Sequence, residues 1–272
     1  MPLNVATYGI GRQPGSAFKP FAYATAFKKG YDDTTIVVDE ETNFGVWGDA
    51  EYIPKNYDGT FRGPVTLRQA LAQSLNIPSI KVLLDFAGIQ DSVQTATDMG
   101  ISALSSDLSR YGPSLVLGGG EVRLQDIVSA YGVFASRGVR VPPFSILAIK
   151  DSSQRVVEEN RPTPLTVLEP RVTDIITSIL SDNEARTPVF GARSPLFFDS
   201  HQVAVKTGTT QDYKDGWIIG YTPSLVAGVW AGNSDGTPMK KEPGVVMAGP
   251  IWHEFMQKSL DELSLRSSSP TP

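Results

Sequence analysis

The chain has 272 residues, of which 40% are hydrophobic and 19% are charged, and its formal net charge is −5. This composition indicates a globular protein with one large or two small domains, and it excludes the basic surface expected of a nucleic-acid-binding protein. Because cysteine is absent, disulfides and thiolate metal sites are excluded. The only two histidines, His201 and His253, are better interpreted as surface or packing residues than as a catalytic or metal site.

The first helix is predicted over "SAFKPFAYATAFKKG", after a loop at residues 1–15. Gly30 suits the C′ position, and Pro20 is tolerated because it falls early in the helix. Residues 31–65 are dense in Gly, Asp and Pro, which predicts turns and short strands with little helix.

Further helices are predicted in the middle of the chain. Thr66 and Gln69 form a capping-box pattern before "LRQALAQS", and the helix breaks at "LNIP". Pro78 suits the first turn of a new helix, "PSIKVLLDFAG". Two more helices are predicted over "QDSVQTATDMG" and "LQDIVSAYGVFASRG".

The pattern changes near residue 140 to a mixture of strands and helices. We predict a hairpin, a helix, three strands and a closing helix, at "FSILAIKDSSQRVVEE", "EPRVTDIITSILSDN", "HQVAVKTGTT", "DGWIIGY", "LVAGVWAGN" and "GPIWHEFMQKSLDEL". The sequence therefore predicts one α+β domain, residues 1–264, with a helical half and a sheet half. Residues 265–272 are predicted to be a disordered tail or linker, and no stretch is long and apolar enough for a membrane span.

Two short motifs occur once each, and a third occurs twice. Ser16-Ala-Phe-Lys19 is the only S-x-x-K, and Lys206-Thr207-Gly208 is the only K-T-G, with Thr209 next to it. S-x-N occurs at Ser74-Leu-Asn76 and at Ser181-Asp182-Asn183. Each motif alone is a weak signal, but their order and predicted secondary structure together make coincidence improbable.

The chemistry of these residues suits nucleophilic catalysis. A serine hydroxyl needs a base, and Lys19 lies on the same helical face as Ser16. Lys19 accepts a proton only when it is neutral, and burial or a second cation such as Lys206 lowers the pKa of a lysine. Asn76 can hold a substrate amide, and the Lys206–Thr209 strand offers charge and hydroxyls to a peptide that ends in a carboxylate.

These segments resemble the transpeptidase domain of class A (bifunctional) penicillin-binding proteins. The resemblance covers "RQPGSAFKPFAYATAF", "YIPKNYDGTFRGPVTLRQALAQSLNIPSIKVL", "VKTGTTQDYKDGWIIGYTPSLVAGVWAGN" and "GPIWHEFM", and thus nearly the whole chain. It implies the β-lactamase/transpeptidase-like fold, in which a helical subdomain accompanies an antiparallel sheet flanked by helices. It also selects Ser74-Leu-Asn76 as the second motif, which leaves Ser181-Asp182-Asn183 as a helix C-terminus.

The resemblance implies a role for each motif residue. Ser16 would be the acylated nucleophile with Lys19 as its base, Ser74 would relay a proton to the leaving amine, and Asn76 would bind the substrate amide. Lys206, Thr207 and Thr209 would hold the terminal carboxylate, and Gly208 would let the substrate approach the strand. The backbone N–H groups of Ser16 and Thr209 would form the oxyanion hole.

The implied reaction is D,D-transpeptidation of peptidoglycan stem peptides that end in D-Ala-D-Ala, without a metal or organic cofactor. Penicillins would mimic the donor and remain on Ser16 as a slow ester. The implied location is the extracytoplasmic face of the membrane, with a glycosyltransferase domain and an anchor upstream in the parent protein. We expect the chain as given to be soluble and to be a piece of that longer protein.

Family members have β-strands just before the nucleophile helix, and such strands are missing here. We therefore expect an incomplete sheet whose "LVAGVWAGN" strand is an open apolar edge, or a dimer or companion chain that covers this edge.

Three alternatives compete with the transpeptidase hypothesis. A β-lactamase would need a Glu-x-x-Leu-Asn loop, and no Glu of the chain has an Asn four residues later. A D,D-carboxypeptidase would use water in place of the acceptor amine, and the motifs do not distinguish it. A non-catalytic penicillin-binding or scaffold module would keep the fold, but the intact Ser16, Lys19, Asn76 and Lys206 argue against it.

Overall fold

A buried helix, α1 (Lys19–Lys28), is the central element of the computed structural model, which describes residues 4–7, 9 and 11–268. Every residue from Lys19 to Phe27 is buried. A 3-10 turn, Gly15–Phe18, leads directly into the helix. The ring of Phe21 packs against those of Tyr131 and Phe134, which fixes one side of the helix against the core.

The other helices of the described residues surround α1 or cover the sheet. They are α2 (Leu67–Ala72), α3 (Asn76–Lys81), α4 (Ile89–Asp98), α5 (Leu124–Ala135), α6 (Pro170–Leu180), α7 (Asn183–Phe190), α8 (Gly244–Met247) and α9 (Gly249–Ser268). A π-helical segment, Val82–Ala87, continues α3.

Eight short strands pair in twos outside the main sheet. They are β1 (Ile36–Asp39), β2 (Val46–Trp47), β3 (Ala50–Glu51), β4 (Gly63–Thr66), β5 (Val139–Arg140), β6 (Ala148–Lys150), β7 (Val156–Glu159) and β8 (Leu165–Thr166). The antiparallel pairs are β1 with β4, β2 with β3, β5 with β8, and β6 with β7.

The main sheet contains β9 (Ala204–Thr209), β10 (Asp215–Thr222) and β11 (Leu225–Gly232). The strands are antiparallel in the order β11-β10-β9, so β10 is central and β9 and β11 are edges. In the described residues the main sheet has these three strands, and β11 is an edge strand.

The two faces of this sheet belong to two apolar clusters. Trp217, Ile219 and Tyr221 of β10 pack with α1, α5 and α6, whereas Ile218 packs in the cluster that contains Trp252 of α9. This division follows from the period of two along a strand. Because both faces are covered, all eight residues of β10 are buried.

Most of the predicted elements are confirmed. The capping box is present at the start of α2, where Thr66 and Gln69 exchange both hydrogen bonds. The hairpin β6–β7, the helix α6 and the three late strands lie where the sequence pattern placed them. Residues 31–65 contain turns and short strands as expected.

The structure differs from the sequence prediction at four places. The α-helix begins at Lys19 rather than at Ser16, because Pro20 lacks an N–H and the preceding turn is 3-10. The predicted helix "PSIKVLLDFAG" widens to π-helical geometry from Val82. An unpredicted helix, α7, follows Asp182, whose carboxylate accepts from Ala185 N at 2.9 Å as the N-cap.

The closing helix α9 reaches Ser268, beyond the expected boundary at residue 264. The predicted disordered tail is therefore helical over 265–268, and residues 269–272 lie outside the described part of the chain. Among the described residues, no helix is both long enough and apolar enough to span a membrane.

Candidate active site

Two distant segments of the chain meet at the buried amine of Lys19. Its Nζ donates to the backbone oxygens of Ser74 and Leu75 at 2.6 and 3.1 Å and to Asn76 Oδ1 at 2.9 Å. The Ser74 hydroxyl oxygen lies 3.4 Å from the same Nζ. The S-x-x-K and Ser74-Leu-Asn76 motifs are thus in direct contact.

Lys206 approaches Ser74 from the sheet. Its Nζ donates to Ser74 Oγ at 2.7 Å and to its neighbour's carbonyl oxygen, Thr207 O, at 3.0 Å. Ser74 has a φ of 59°, a left-handed conformation that is uncommon for a residue with a side chain. This conformation turns the Ser74 carbonyl toward Lys19 while its hydroxyl contacts Lys206, so a strained residue joins two lysines.

Burial shifts the pKa of both lysines downward. The Lys19 pKa is lowered well below its ordinary value, mainly by desolvation and additionally by the charge of Lys206. The Lys206 pKa is lowered to about 7 by burial and then by the Arg186 charge. Both amines therefore release a proton more readily than a lysine in water does.

Ser16 lies at the partly exposed start of this arrangement. It belongs to the 3-10 turn, and the backbone N–H of Lys19 donates to its carbonyl oxygen. Side chains three apart eclipse in a 3-10 turn, which places Ser16 and Lys19 on one side of it. The hydroxyl of Ser16 is not among the acceptors of Lys19, whose amine faces Ser74, Leu75 and Asn76.

The turn before Ser16 packs directly on the backbone of Thr209. Gly15 has a φ of 57°, and a Cβ at this position would lie 2.5 Å from Thr209 O and 2.7 Å from Thr209 N. Thr210 N donates to Asp215 O of β10, so the N–H of Thr209 points the other way, to the free edge of β9. The N–H groups of Thr209 and Ser16 therefore lie on neighbouring backbone at the mouth of the site.

Gly208 allows the same close approach one residue earlier. A Cβ there would overlap the carbonyl oxygen of Pro14. The N-terminal turn is also held by Trp217, whose indole donates to Gln13 O at 2.8 Å, and by Tyr131, whose hydroxyl donates to Ala17 O at 2.7 Å. The glycine of K-T-G thus allows the N-terminal turn to pack against β9.

Among residues 206–209, only Thr209 is partly exposed. Its Oγ1 accepts a hydrogen bond from Gly244 N at 2.9 Å, at the start of α8. Because the oxygen is occupied by a donor, the hydroxyl proton of Thr209 is free to be donated elsewhere. Thr207 is buried at 7% exposure, so Thr209 is the better placed of the two threonines to meet a carboxylate.

Asn56 supports the second motif, and sequence reasoning missed it. Asn56 Oδ1 accepts from the N–H of Asn76 at 2.7 Å, and its Nδ2 donates to both carboxylate oxygens of Asp39 at 2.9 Å. The side chain of Asn76 is fixed at its other end by Lys55 O, 2.8 Å from Nδ2. The one available signal was the unusual polarity of "PKNYDG" between short strands.

The second S-x-N lies apart from these contacts, as expected. Ser181 is the C-cap of α6, and its hydroxyl donates to Thr177 O at 2.8 Å.

The sequence analysis also missed Arg186 of α7. This residue is buried and lies next to Lys206 across a small cavity. In the part of the chain that the structure describes, no three His, Cys, Asp or Glu side chains group as a metal site would require.

A buried helix that opens on Ser16 and Lys19 and packs beside an antiparallel sheet defines the β-lactamase-like transpeptidase fold. The chain belongs to the penicillin binding protein transpeptidase domain family, whose family model matches residues 3–257. This confirms the resemblance stated from the motifs.

The relatives found among known proteins are class A penicillin-binding proteins. Penicillin-binding protein 1A of Aquifex aeolicus is 36% identical over 256 residues, which are 90% of this chain and 33% of the relative. Penicillin-binding protein 2D of Bacillus subtilis is 35% identical over 92% of this chain and 36% of the relative. The chain thus spans about a third of the length of these relatives.

Solved structures share the fold. PonA1 of Mycobacterium tuberculosis, in complex with penicillin V, matches with a TM-score of 0.79 and 28% identity over 91% of this chain and 69% of that chain. Penicillin-binding protein 1A from Haemophilus influenzae matches with a TM-score of 0.82 and 24% identity over 96% of this chain and 43% of that one.

Proposed function

We propose that the chain is a D,D-transpeptidase domain of peptidoglycan synthesis in which Ser16 is acylated by D-Ala-D-Ala stem peptides and by β-lactams. The observation that carries this proposal is the contact chain Lys19–Ser74–Lys206, in which one hydroxyl lies between two buried lysines of lowered pKa. Such a chain suits proton transfer to and from a serine nucleophile at neutral pH.

In the acylation step, neutral Lys19 accepts the proton of Ser16 as Oγ attacks the carbonyl carbon of the penultimate D-Ala. The developing oxyanion is stabilised by the N–H groups of Ser16 and Thr209. Collapse of the tetrahedral intermediate breaks the peptide bond, and the amine of the departing D-Ala takes its proton through Ser74. Lys206 restores the proton that Ser74 gives up.

The substrate is held by the remaining motif residues. Asn76 binds the amide of the donor stem, while Lys206, Thr207 and Thr209 bind its terminal carboxylate. Gly208 contributes indirectly, because it lets the turn that carries Ser16 approach the strand. In the second half of the reaction, an amine from a neighbouring stem attacks the Ser16 ester. This step forms the cross-link and returns the proton to the enzyme.

The test is the intact mass of the protein during several hours with benzylpenicillin, beside Ser16→Ala. A stable adduct of one penicillin that requires Ser16 supports the proposal. Ser181→Ala is the matched control, because it removes a serine hydroxyl outside the site, and it should acylate like the wild type. A transient adduct would instead favour a hydrolase, and no adduct in any variant would favour a scaffold module.

A peptide assay separates transpeptidase from carboxypeptidase. The chain is incubated with a D-Ala-D-Ala peptide, with and without an added acceptor amine, and the products are identified by mass. Cross-linked or aminolysed product supports the proposal, whereas hydrolysed peptide alone at high acceptor concentration contradicts it.

We also propose that the parent protein carries a glycosyltransferase domain and a membrane anchor upstream and places this domain on the extracytoplasmic side. The relatives' greater length supports this extension.

At the edge strand β11, the β10–β11 pairing directs the N–H groups of Val226, Gly228 and Trp230 outward. We propose that a further strand, from a second copy or a companion chain, pairs there.

Sedimentation velocity over a range of concentrations tests this edge. Wild-type chain should dimerise, and Val226→Pro, which removes an outward N–H, should weaken the dimer more than Val226→Ala. A wild-type chain that stays monomeric at all concentrations contradicts pairing between copies.

A further inference from the structure

A buried arginine lies behind the K-T-G strand without an ionic partner. Arg186 is 4% exposed, and its guanidinium donates to two backbone oxygens, Leu180 O at 2.9 Å and Asp182 O at 3.3 Å. Arginine is rarely buried unless it is paired, because desolvation of its charge is costly. Among the described residues, Arg186 forms no ion pair with a carboxylate.

The carboxylate whose charge raises the Arg186 pKa is Asp182, and it is already engaged. Asp182 accepts from Arg68 at 2.9 Å and caps α7 through Ala185 N at 2.9 Å. Its charge is therefore shared with another arginine. Desolvation outweighs the attraction of Asp182, because the Arg186 pKa is lowered on balance to about 10, so the buried charge is only partly compensated.

Arg186 and Lys206 line one cavity. Its volume is ≈ 10 Å³, about the space of a single water molecule, and Thr207 and Leu180 belong to the same wall. Arg186 thus borders Lys206 at a cavity that Ser74 does not line. A like charge at this position acts on Lys206 through a region of low dielectric, where Coulomb interactions are strong.

We propose that Arg186 is a positioning residue for Lys206, whose fixed charge makes the Lys206 ammonium a ready proton donor to Ser74 during acylation. This inference rests on the proposed transpeptidase function and deepens it. Arg186 does not touch the substrate in this scheme; it acts through Lys206 alone.

The charged groups around Lys206 agree with this role. Lys19 faces it from α1 and Arg186 from α7, whereas the Ser74 hydroxyl, which is neutral, faces it from the α2–α3 turn. No carboxylate pairs with Lys206 among the described residues. The pKa of Arg186 is lowered by burial only to about 10, so its charge persists at neutral pH, and it is a named cause of the lowered Lys206 pKa.

The test is the pH dependence of the benzylpenicillin acylation rate, followed by intact mass between pH 6 and pH 10. The wild-type rate should fall on the basic side as Lys206 loses its proton, near pH 7 to 8. In Arg186→Gln and Arg186→Met, this basic limb should move up by about 1 pH unit, because a like charge has been removed. Arg193→Gln removes an exposed arginine nearby and should leave the limb in place.

The outcomes separate this inference from the proposed function. If the wild type acquires no adduct at any pH, the proposed function fails. If it is acylated but both Arg186 variants keep the wild-type limb, or Arg193→Gln shifts it equally, the role of Arg186 is refuted. Should neither Arg186 variant fold, a wild-type basic limb above pH 9 would still refute the inference, because it contradicts a readily released Lys206 proton.

Discussion

Lys206 Nζ donates a hydrogen bond of 2.7 Å to Ser74 Oγ, although 132 positions of sequence separate the two residues. Lys19 Nζ lies 3.4 Å from the same oxygen. A single hydroxyl therefore connects a lysine of the central helix to a lysine of the edge strand. Removing this hydroxyl should interrupt proton transfer while both amines remain in place.

We expect Ser74→Gly to slow benzylpenicillin acylation by about 10² to 10⁴-fold, the usual contribution of a general acid or base. Glycine is chosen because the φ of 59° suits it without strain, so the fold should be retained. The rate is measured by intact mass under excess penicillin. Ser181→Ala is the control, and equal rates in Ser74→Gly and Ser181→Ala would refute a relay.

Gly15→Ala should slow acylation by at least about 100-fold, the cost of losing one oxyanion donor. The added Cβ would lie 2.5 Å from Thr209 O, which forces the turn away from β9. Gly30→Ala is the matched control, because its φ is +100° but no atom lies within 4 Å of the added Cβ. Gly30→Ala should be less stable than the wild type but should be acylated at the wild-type rate. A similar loss of acylation rate in both variants would contradict the oxyanion hole at Ser16 and Thr209.

The buried charge of Lys206 should make stability rise with pH. Its pKa falls from 10.5 in the unfolded chain to about 7 in the folded protein, so the unfolded state binds more protons between these values. Below pH 7 both states are protonated and the full cost of burying the charge is present; above pH 10.5 it is absent.

Urea unfolding measures this effect. From pH 7 to pH 9, the free energy of unfolding of the wild type should rise by about 2 kcal/mol relative to Lys206→Met. Lys240→Met, at an exposed lysine, should follow the wild type. A constant difference between wild type and Lys206→Met across this range would show that the Lys206 pKa is not lowered.

Asn56→Ala should destabilise the protein by about 2 to 4 kcal/mol, because the buried Asp39 carboxylate loses its amide donor. It should also slow acylation, since Asn56 Oδ1 fixes the backbone of Asn76. Asn160→Ala, at an exposed position, serves as the control in urea unfolding and in the acylation assay. An Asn56→Ala protein with wild-type stability would contradict the role of this contact.

Structural features could be predicted from the sequence where they depend on neighbouring residues or on a short motif. The capping box of Thr66 and Gln69 depends on residues three apart, and it is present. The choice between the S-x-N patterns at Ser74 and Ser181 could not be made in this way, because both are local patterns of the same kind. Only the resemblance to the family distinguished them. The contact with Lys206 that distinguishes them is long-range.

Residues that act through distant partners could not be found in this way. Arg186 looks like an ordinary surface residue in "SDNEARTPVF", and its position next to Lys206 depends on where α7 packs. The role of Asn56 likewise depends on its hydrogen bonds with Asp39 and Asn76, which belong to other elements. Such partners are set by tertiary packing, which no short window of sequence records.

The meeting of Lys19, Ser74 and Lys206 has a consequence for refolding. Contacts of such high sequence separation close large loops and form late, after the local helices. A chain whose sheet has not docked would lack Lys206 beside Ser74, so it should not be acylated. Under the proposed function, penicillin would therefore acylate only molecules in which these long-range contacts have formed, and a pulse of penicillin during refolding would time the last step of assembly.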